Sequence, residues 1–247
     1  MKYEIALIGA GQLGSRYLQG MAHCSMPLKI NVVDPSKYSL TIAQSRWQEA
    51  CDNESIHQVE FFNTFKDIRE KSIDIAIVST NSEKRAELIS DLSKNLNIRY
   101  WIIEKVLAQS DNELTLISET LKNSSGAWVN TSRRIMKWYQ EIIQSIPKES
   151  PITFSVIGSD WGLACNAIHF LDLAVWFTGE KLVSINTDQL ASKWHKAKRE
   201  GYWEVFGVLE AFYSGGSKLI LESNSGLNEY EIKFFADYIC AIKRYCE

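Results

Sequence analysis

Residues 3–14 read Tyr-Glu-Ile-Ala-Leu-Ile-Gly-Ala-Gly-Gln-Leu-Gly, and this stretch decides how the rest of the chain is interpreted. Its first half is an apolar run of strand length, and its second half is a GxGxxG motif that opens a helical segment. A second strand-like run follows and ends at Asp34, 20 residues after Gly14. A glycine motif between a strand and a helix, with an acidic residue at this distance, predicts a dinucleotide-binding βαβ unit.

Each glycine of the motif has a physical task. Gly9 permits a tight turn, Gly11 lets the backbone approach a pyrophosphate, and Gly14 lets the helix pack closely on the strand. The pyrophosphate would then lie at the helix N-terminus, where free N–H groups and the helix dipole favour an anion. Asp34 would accept hydrogen bonds from the adenosine ribose and repel a 2′-phosphate, so we expect NAD(H) in preference to NADP(H). The cofactor residues expected in this unit are Gly9, Gly11, Gln12, Leu13, Gly14 and Asp34.

The fold class follows from how strands and helices alternate. Up to residue 126, apolar strands alternate with helical segments, which predicts a parallel sheet covered on both faces. Beyond that point strands follow one another more directly, with 214–217 as a hairpin turn. We therefore expect an α/β chain: an N-terminal Rossmann domain, 1–126, and a smaller α+β domain, 127–247, with a mostly antiparallel open sheet.

Three local expectations accompany this division. Residues 64–71 are expected to form a helix, and residues 111–123 another, with Asp111 as its cap. The apolar stretch 230–245 is expected to be helical as well.

Bulk properties exclude several classes of protein. A net charge of −3 argues against nucleic-acid binding, which usually needs a basic excess. No apolar run approaches the roughly 18–20 residues that cross a bilayer, and no signal peptide is recognisable, so we expect a cytoplasmic protein without a membrane partner. The five cysteines lack CxxC spacing, which favours reduced thiols and no metal site.

Four later segments resemble the Gfo/Idh/MocA family of NAD(P)-dependent oxidoreductases. They are Ile77–Asn81 with Ala86-Glu87, Ile103–Ala108, Val129–Arg134 and Ala167–Leu173. Their order and spacing fit the family over residues 1–225. The resemblance implies hydride transfer at a carbon of a sugar, a sugar nucleotide or a related polyol, with a small-molecule carbohydrate as substrate.

The resemblance also implies residue roles. Lys105 matches the lysine of the family's EKP segment and His169 its catalytic histidine, so the two would handle the substrate proton. The segment beside the nicotinamide ribose and the start of the EKP segment add to the cofactor site Ser79, Thr80, Asn81, Glu104 and Lys105.

Structural alternatives stay open for these residues. Lys105 is also explained as a surface lysine paired with Glu104, and His169 as a structural residue of an apolar helix. The candidates for substrate binding are Arg133, Arg134, Trp161 and Asp172. The arginines could bind a carboxylate or phosphate through a bidentate fork or be solvated. Trp161 could wall the nicotinamide pocket or pack in the core, and Asp172 could orient His169 but is better explained as structural.

The sequence departs from the family's pattern at positions that concern chemistry. Val106 stands in place of the usual proline, Arg85 in place of a frequent histidine, and Cys165 in place of an aspartate four residues before His169. A thiol is a poor substitute for that carboxylate, which favours a second hypothesis: a catalytically inactive NAD-binding sensor or regulatory protein.

The chain ends earlier than family members usually do. We therefore expect a second sheet that lacks several strands. Such a sheet leaves an exposed edge and an uncovered apolar face, which a homo-oligomer would bury; the alternative is that the chain is a truncated relic.

Overall fold

The computed structural model describes residues 2–51, 56–146, 151–197, 200–226, 229–236 and 239–246, the last two ranges by their backbone alone. The chain divides into two compact units, Met1–Asn130 and Thr131–Glu247. The division falls four residues later than 126/127, because the strand Gly126–Asn130 pairs with its neighbour in the first sheet.

Six parallel strands form the sheet of the first unit, within its described residues, in the order β3-β2-β1-β4-β5-β6. The strands are β1 (Tyr3–Ile8), β2 (Leu28–Val33), β3 (Gln58–Phe62), β4 (Ser72–Val78), β5 (Asn97–Glu104) and β6 (Gly126–Asn130). The helices are α1 (Gln12–Ala22), α2 (Lys37–Ala50), α3 (Arg85–Asn95) and α4 (Asp111–Leu121). The strand order reverses at β1, which is the switch point where such sheets bind ligands beyond their carboxyl ends.

The central strand β1 is buried on both faces, which accounts for its unbroken apolar run. Leu7 packs with Leu18 of α1 in one core cluster, whereas Ala6 and Ile8 pack with Ile89 of α3 in another. A parallel sheet with helices on both faces requires such strands. The predicted Rossmann domain is confirmed.

Two local predictions in this unit were wrong. The expected helix at 64–71 is a single 3-10 turn, Phe65–Asp67, because Ile68 leaves it in an extended conformation and enters the core, 1% exposed. The cap of α4 is Ser110, whose hydroxyl accepts from the Glu113 backbone N–H at 3.3 Å. Asp111 is instead the first helical residue, where its charge favours the helix dipole.

The second unit contains a six-stranded sheet in the order β14-β13-β7-β12-β11-β8. Its strands are β7 (Thr153–Ser159), β8 (Leu182–Leu190), β11 (Gly207–Tyr213), β12 (Lys218–Asn224), β13 (Glu229–Ala236) and β14 (Ile239–Cys246). Helices α5 (Lys137–Ser145) and α6 (Leu163–Thr178) and the short strands β9 (His195–Lys196) and β10 (Trp203–Glu204) complete it. Among the described strand pairings of this second sheet, only that of β12 with β7 is parallel, so the prediction of a mostly antiparallel sheet is confirmed.

The prediction of a helix at 230–245 was wrong. This stretch forms β13 and β14, which pair with each other, and β13 also pairs with β7. Apolar and charged residues alternate along Tyr230–Phe234 with the period of two that belongs to a strand. The added strands bind the backbone groups that β7 would otherwise present at an open edge.

Helix α6 forms the core of the second unit with the sheet. It buries Leu163, Ala167, Phe170, Leu173, Ala174 and Phe177. Phe154 of β7 meets Phe170 edge-on with ring centroids 5.9 Å apart. In the parts of the chain that the structure describes, no helix has the length and apolar character needed to span a membrane.

Candidate functional site

The glycine loop has the tight geometry that the motif predicts. Gly9, directly after β1, has a φ of +97°, a region that side chains rarely adopt. A Cβ on Gly14 would lie 1.8 Å from the carbonyl oxygen of Gly9, so α1 can approach the loop only with glycine there. A Cβ on Gly11 would meet nothing within 4 Å, which leaves that side of the loop open to a ligand.

The N-terminus of α1 is suited to an anion. In the described chain no side chain caps this helix, and Gln12 and Leu13 at its start are exposed. Arg46 of α2 donates to Gln12 Oε1 at 3.1 Å and to the Ser15 hydroxyl. Arg46 adds a positive charge at this helix end. The sequence motif does not reveal it, because its partners lie more than thirty residues away in the chain.

Asp34 is held beside the glycine loop. Its Oδ2 accepts from the backbone N–H of Ala10 at 2.7 Å, and its Oδ1 accepts from that of Ser36 at 2.8 Å. A carboxylate has about four acceptor sites, so these two bonds leave capacity for ribose hydroxyls.

Ser79, Thr80 and Asn81 follow β4, the strand beside β1. The Ser79 hydroxyl donates to the carbonyl oxygen of Gly9 at 2.7 Å, so this residue supports the glycine loop from the neighbouring strand. Thr80 is half-buried and Asn81 is exposed. Ser79 therefore supports the loop, whereas Asn81 is accessible to a ligand.

Glu104 ends β5 and lies in a small polar cluster. Its side chain is 4% exposed, and Oε1 accepts from the Tyr17 hydroxyl at 2.5 Å and from Asn130 Nδ2 at 2.7 Å. Burial raises the pKa of Tyr17 well above its ordinary value, and the Glu104 carboxylate raises it further. Tyr17 and Asn130 were missed by sequence reasoning, since only the fold brings them to Glu104.

Lys105 follows the last residue of β5 and is half-buried. The loop that carries it is bound by Arg85, which is 1% exposed. Arg85 Nη1 donates to the carbonyl oxygens of Glu104 and Val106, and Nη2 donates to that of Thr80. Arg85, which stands where the family often has histidine, thus joins the ends of β4 and β5.

In the second unit, His169 lies in the second turn of α6 and is half-buried. Asp172, one turn further, forms a bidentate ion pair with Arg134, whose Nε donates to Oδ2 at 2.6 Å. The Arg133 guanidinium lies 4.3 Å from the ring centroid of Phe170 and donates to the Tyr139 hydroxyl at 3.3 Å. Both arginines therefore have partners within their own unit.

Trp161 lies two residues before α6, and Cys165 lies in its first turn. Trp161 Nε1 donates to the carbonyl oxygen of Glu222 at 2.8 Å, and its ring meets Phe170 edge-on with centroids 5.6 Å apart. These contacts place Trp161 at the border of the core. Cys165 is exposed.

The first turn of α6 is capped by a carboxylate from another strand. Glu204 of β10, 6% exposed, accepts from the backbone N–H groups of Ala164 at 2.8 Å and Cys165 at 3.2 Å. Sequence reasoning missed this cap, because it lies about forty residues from the helix it serves. Among the described residues, no group of three or more His, Cys, Asp or Glu side chains could hold a metal ion.

Comparison with known proteins rests on structure alone, since no protein-family model and no curated protein sequence matches the chain. Myo-inositol 2-dehydrogenase from Lactobacillus plantarum is 19% identical with a TM-score of 0.73, and the match covers 98% of this chain and 76% of that one. Myo-inositol dehydrogenase from Lactobacillus casei, in complex with NAD(H) and myo-inositol, is 14% identical with a TM-score of 0.72 over 98% and 74%. A dehydrogenase from Clostridium difficile is 17% identical with a TM-score of 0.72 over 99% and 78%.

These identities establish a shared fold. The chain spans about three quarters of the matched chains. The resemblance seen in the sequence is confirmed at this level: the chain has the fold of Gfo/Idh/MocA-type inositol and sugar dehydrogenases.

Proposed function

We propose that the protein is an NAD(H)-dependent oxidoreductase that moves a hydride to or from a carbon of a sugar, sugar nucleotide or polyol. The observation that carries the proposal is the glycine loop packed against Asp34 at the carboxyl ends of β1 and β2. The fold shared with dehydrogenases named for myo-inositol, one of them holding NAD(H), supports the same reaction class.

The residues of the first unit fit the cofactor. The pyrophosphate is expected at the start of α1, where Gly11 leaves open space and Arg46 adds positive charge. Asp34 would accept from the adenosine ribose and disfavour a 2′-phosphate, so NAD(H) is preferred over NADP(H). Because the strand order reverses at β1, the nicotinamide half is expected on the β4 and β5 side, near Thr80 and Lys105.

The proton chemistry is assigned to Lys105 and His169. In the oxidation direction the proton of the substrate hydroxyl passes to one of these bases, while a hydride leaves the carbon that bears this hydroxyl. Bound NAD⁺ would supply the hydride acceptor. Lys105 follows a parallel strand at the edge where such sheets bind ligands. Histidine is the side chain that most often acts as a general acid or base in such proton transfers.

A second candidate is an NAD-binding sensor or regulatory protein without turnover. The observation that favours it is Cys165, four residues before His169, where a carboxylate is expected in the family. The Glu204 carboxylate nearby binds two backbone N–H groups as a helix cap. On this hypothesis the redox state of the bound nucleotide, not catalysis, is what the protein reports.

We further propose a cytoplasmic homo-oligomer without nucleic-acid or membrane partners. Strand β8 lies at the edge of the second sheet, where Val183 is 67% and Ile185 is 44% exposed. The two residues share one face of the strand. Light scattering on the wild type and on Val183→Lys tests this: the variant should dissociate, and a monomeric wild type would contradict it.

The cofactor proposal is tested by titration with NADH and NADPH, following energy transfer from the eight tryptophans to the nicotinamide. Micromolar NADH binding with much weaker NADPH binding is expected. Asp34→Ser should bring the dissociation constants of NADH and NADPH closer together, because it removes the charge that repels the 2′-phosphate. A folded protein that binds neither nucleotide would reject both candidate functions.

A further inference from the structure

Placing the Arg85 side chain where it lies costs free energy. Arg85 is the first residue of α3, and its side chain is almost fully buried. The helix dipole opposes a cation at this end, and burial removes the hydration of the guanidinium. Arginine therefore suits this position only through the groups that its donors bind.

Those groups belong to two neighbouring loops. Nη1 donates to the carbonyl oxygens of Glu104 at 2.5 Å, Val106, and Leu107 at 3.3 Å. Nη2 donates to the carbonyl oxygen of Thr80. One planar guanidinium thus joins the loop after β4 to the loop after β5, and its rigid fork sets the separation of the two loops.

The two loops have a shared place in the proposed site. They carry Thr80 and Lys105, both assigned to the nicotinamide half of the cofactor. All four hydrogen bonds of Arg85 named above go to these two loops. The adenosine half is instead assigned to Asp34 and the glycine loop, which have their own hydrogen bonds.

We propose that Arg85 is a positioning residue that holds Thr80 and Lys105 in place for the nicotinamide half of NAD(H). This inference rests on the proposed function, because it requires that the first unit binds the dinucleotide. Its consequence is specific: loss of Arg85 weakens recognition of the nicotinamide half and leaves recognition of the adenosine diphosphate half intact.

Comparing NADH with ADP tests the proposal without a known substrate, since ADP lacks both the nicotinamide ring and the ribose that carries it. Dissociation constants of both would be measured by calorimetry for the wild type, Arg85→Met and Arg85→Lys. In Arg85→Met we expect NADH to bind about tenfold more weakly and ADP within about twofold of the wild type. In Arg85→Lys we expect a loss of about threefold for NADH alone, because an ammonium reaches one loop at a time.

Lys84→Met is the matched control, since it removes an exposed cation one residue away. It should leave both dissociation constants unchanged. The inference is overturned if NADH and ADP weaken by one common factor in the folded Arg85 variants, or if neither weakens. Should Arg85→Met not fold, the split in Arg85→Lys decides. A wild type that binds neither ligand overturns the proposed function itself, which is a different result from binding without a split.

Discussion

The candidate residues of the two units differ in whether their binding groups already have partners within the protein. In the first unit, Gly11 faces open space and Asp34 has acceptor capacity beyond its two backbone bonds. In the second unit, Asp172 and Arg134 bind each other, and Trp161 donates to a strand carbonyl. A residue type that suits a ligand is thus informative only when the fold leaves its binding groups available. The difference predicts binding effects for variants in the first unit and stability effects for most variants in the second.

Lys105 should give the largest effect. Lys105→Ala is expected to lower turnover about 100-fold or more, because it removes a general acid–base group. NADH binding is expected to be retained, with a loss of at most about threefold from the missing contact to the nicotinamide half. His169→Ala should behave in the same way and would be the exception in its unit. Steady-state rates with a screened sugar or polyol substrate provide the measurement. Lys94→Ala, at an exposed lysine, is the control. Full turnover in Lys105→Ala would reject the assigned role.

Gly14 should give the next largest effect. In Gly14→Ala the new Cβ meets the Gly9 carbonyl oxygen, so α1 must move away from the loop. We expect a loss of about 1–3 kcal/mol in the free energy of unfolding together with much weaker NADH binding. Gly20→Ala lies in the same helix with nothing within 4 Å and should be neutral or stabilising. Equal effects of the two substitutions would show that helix propensity, not the close approach, matters at Gly14.

The ion pair of the second unit should affect stability alone. Asp172→Asn breaks the bidentate pair with Arg134, whose members are partly buried, and should cost about 1–2 kcal/mol of unfolding free energy without changing NADH affinity. The exposed pair Lys137–Glu141 is the matched control, and Lys137→Met should change almost nothing. If Asp172→Asn kept full stability but raised the KM for the substrate, the pair would belong to the substrate site instead.

Tyr17 should give the smallest effect, and only at alkaline pH. Its pKa is raised in the folded state by burial and then by Glu104, so the unfolded chain ionises first. Its contribution to stability is complete below the ordinary tyrosine pKa of about 10 and is lost as the pH rises above it.

The measurement is urea unfolding at about pH 8 and about pH 10.5, on either side of the ordinary tyrosine pKa. Tyr17→Phe should lose about 1 kcal/mol at the lower pH and show a shallower alkaline decline than the wild type. Tyr38→Phe, at a tyrosine that is 77% exposed, should show the decline of the wild type. An unaltered decline in Tyr17→Phe would mean that other groups cause it.

The sequence by itself determined the dinucleotide unit. The close approach of Gly14 to the Gly9 carbonyl oxygen and the bond from Ala10 to Asp34 join residues within the first 34, so short-range geometry sets them, and Ser79 adds support from the neighbouring strand. The apolar character of β1 likewise determined a sheet that is covered on both faces.

Only the tertiary structure decided which side chains meet across the chain. Tyr17 and Glu104 are 87 residues apart, Ala164 and Glu204 are 40 apart, and Arg85 reaches loops on two strands. No local pattern encodes these pairs, because each depends on how strands and helices are ordered in space. The same reason explains why 230–245 was mistaken for a helix: β13 pairs with β7, which lies some 70 residues earlier in the chain, as well as with its neighbour β14, and these pairings favour the extended conformation.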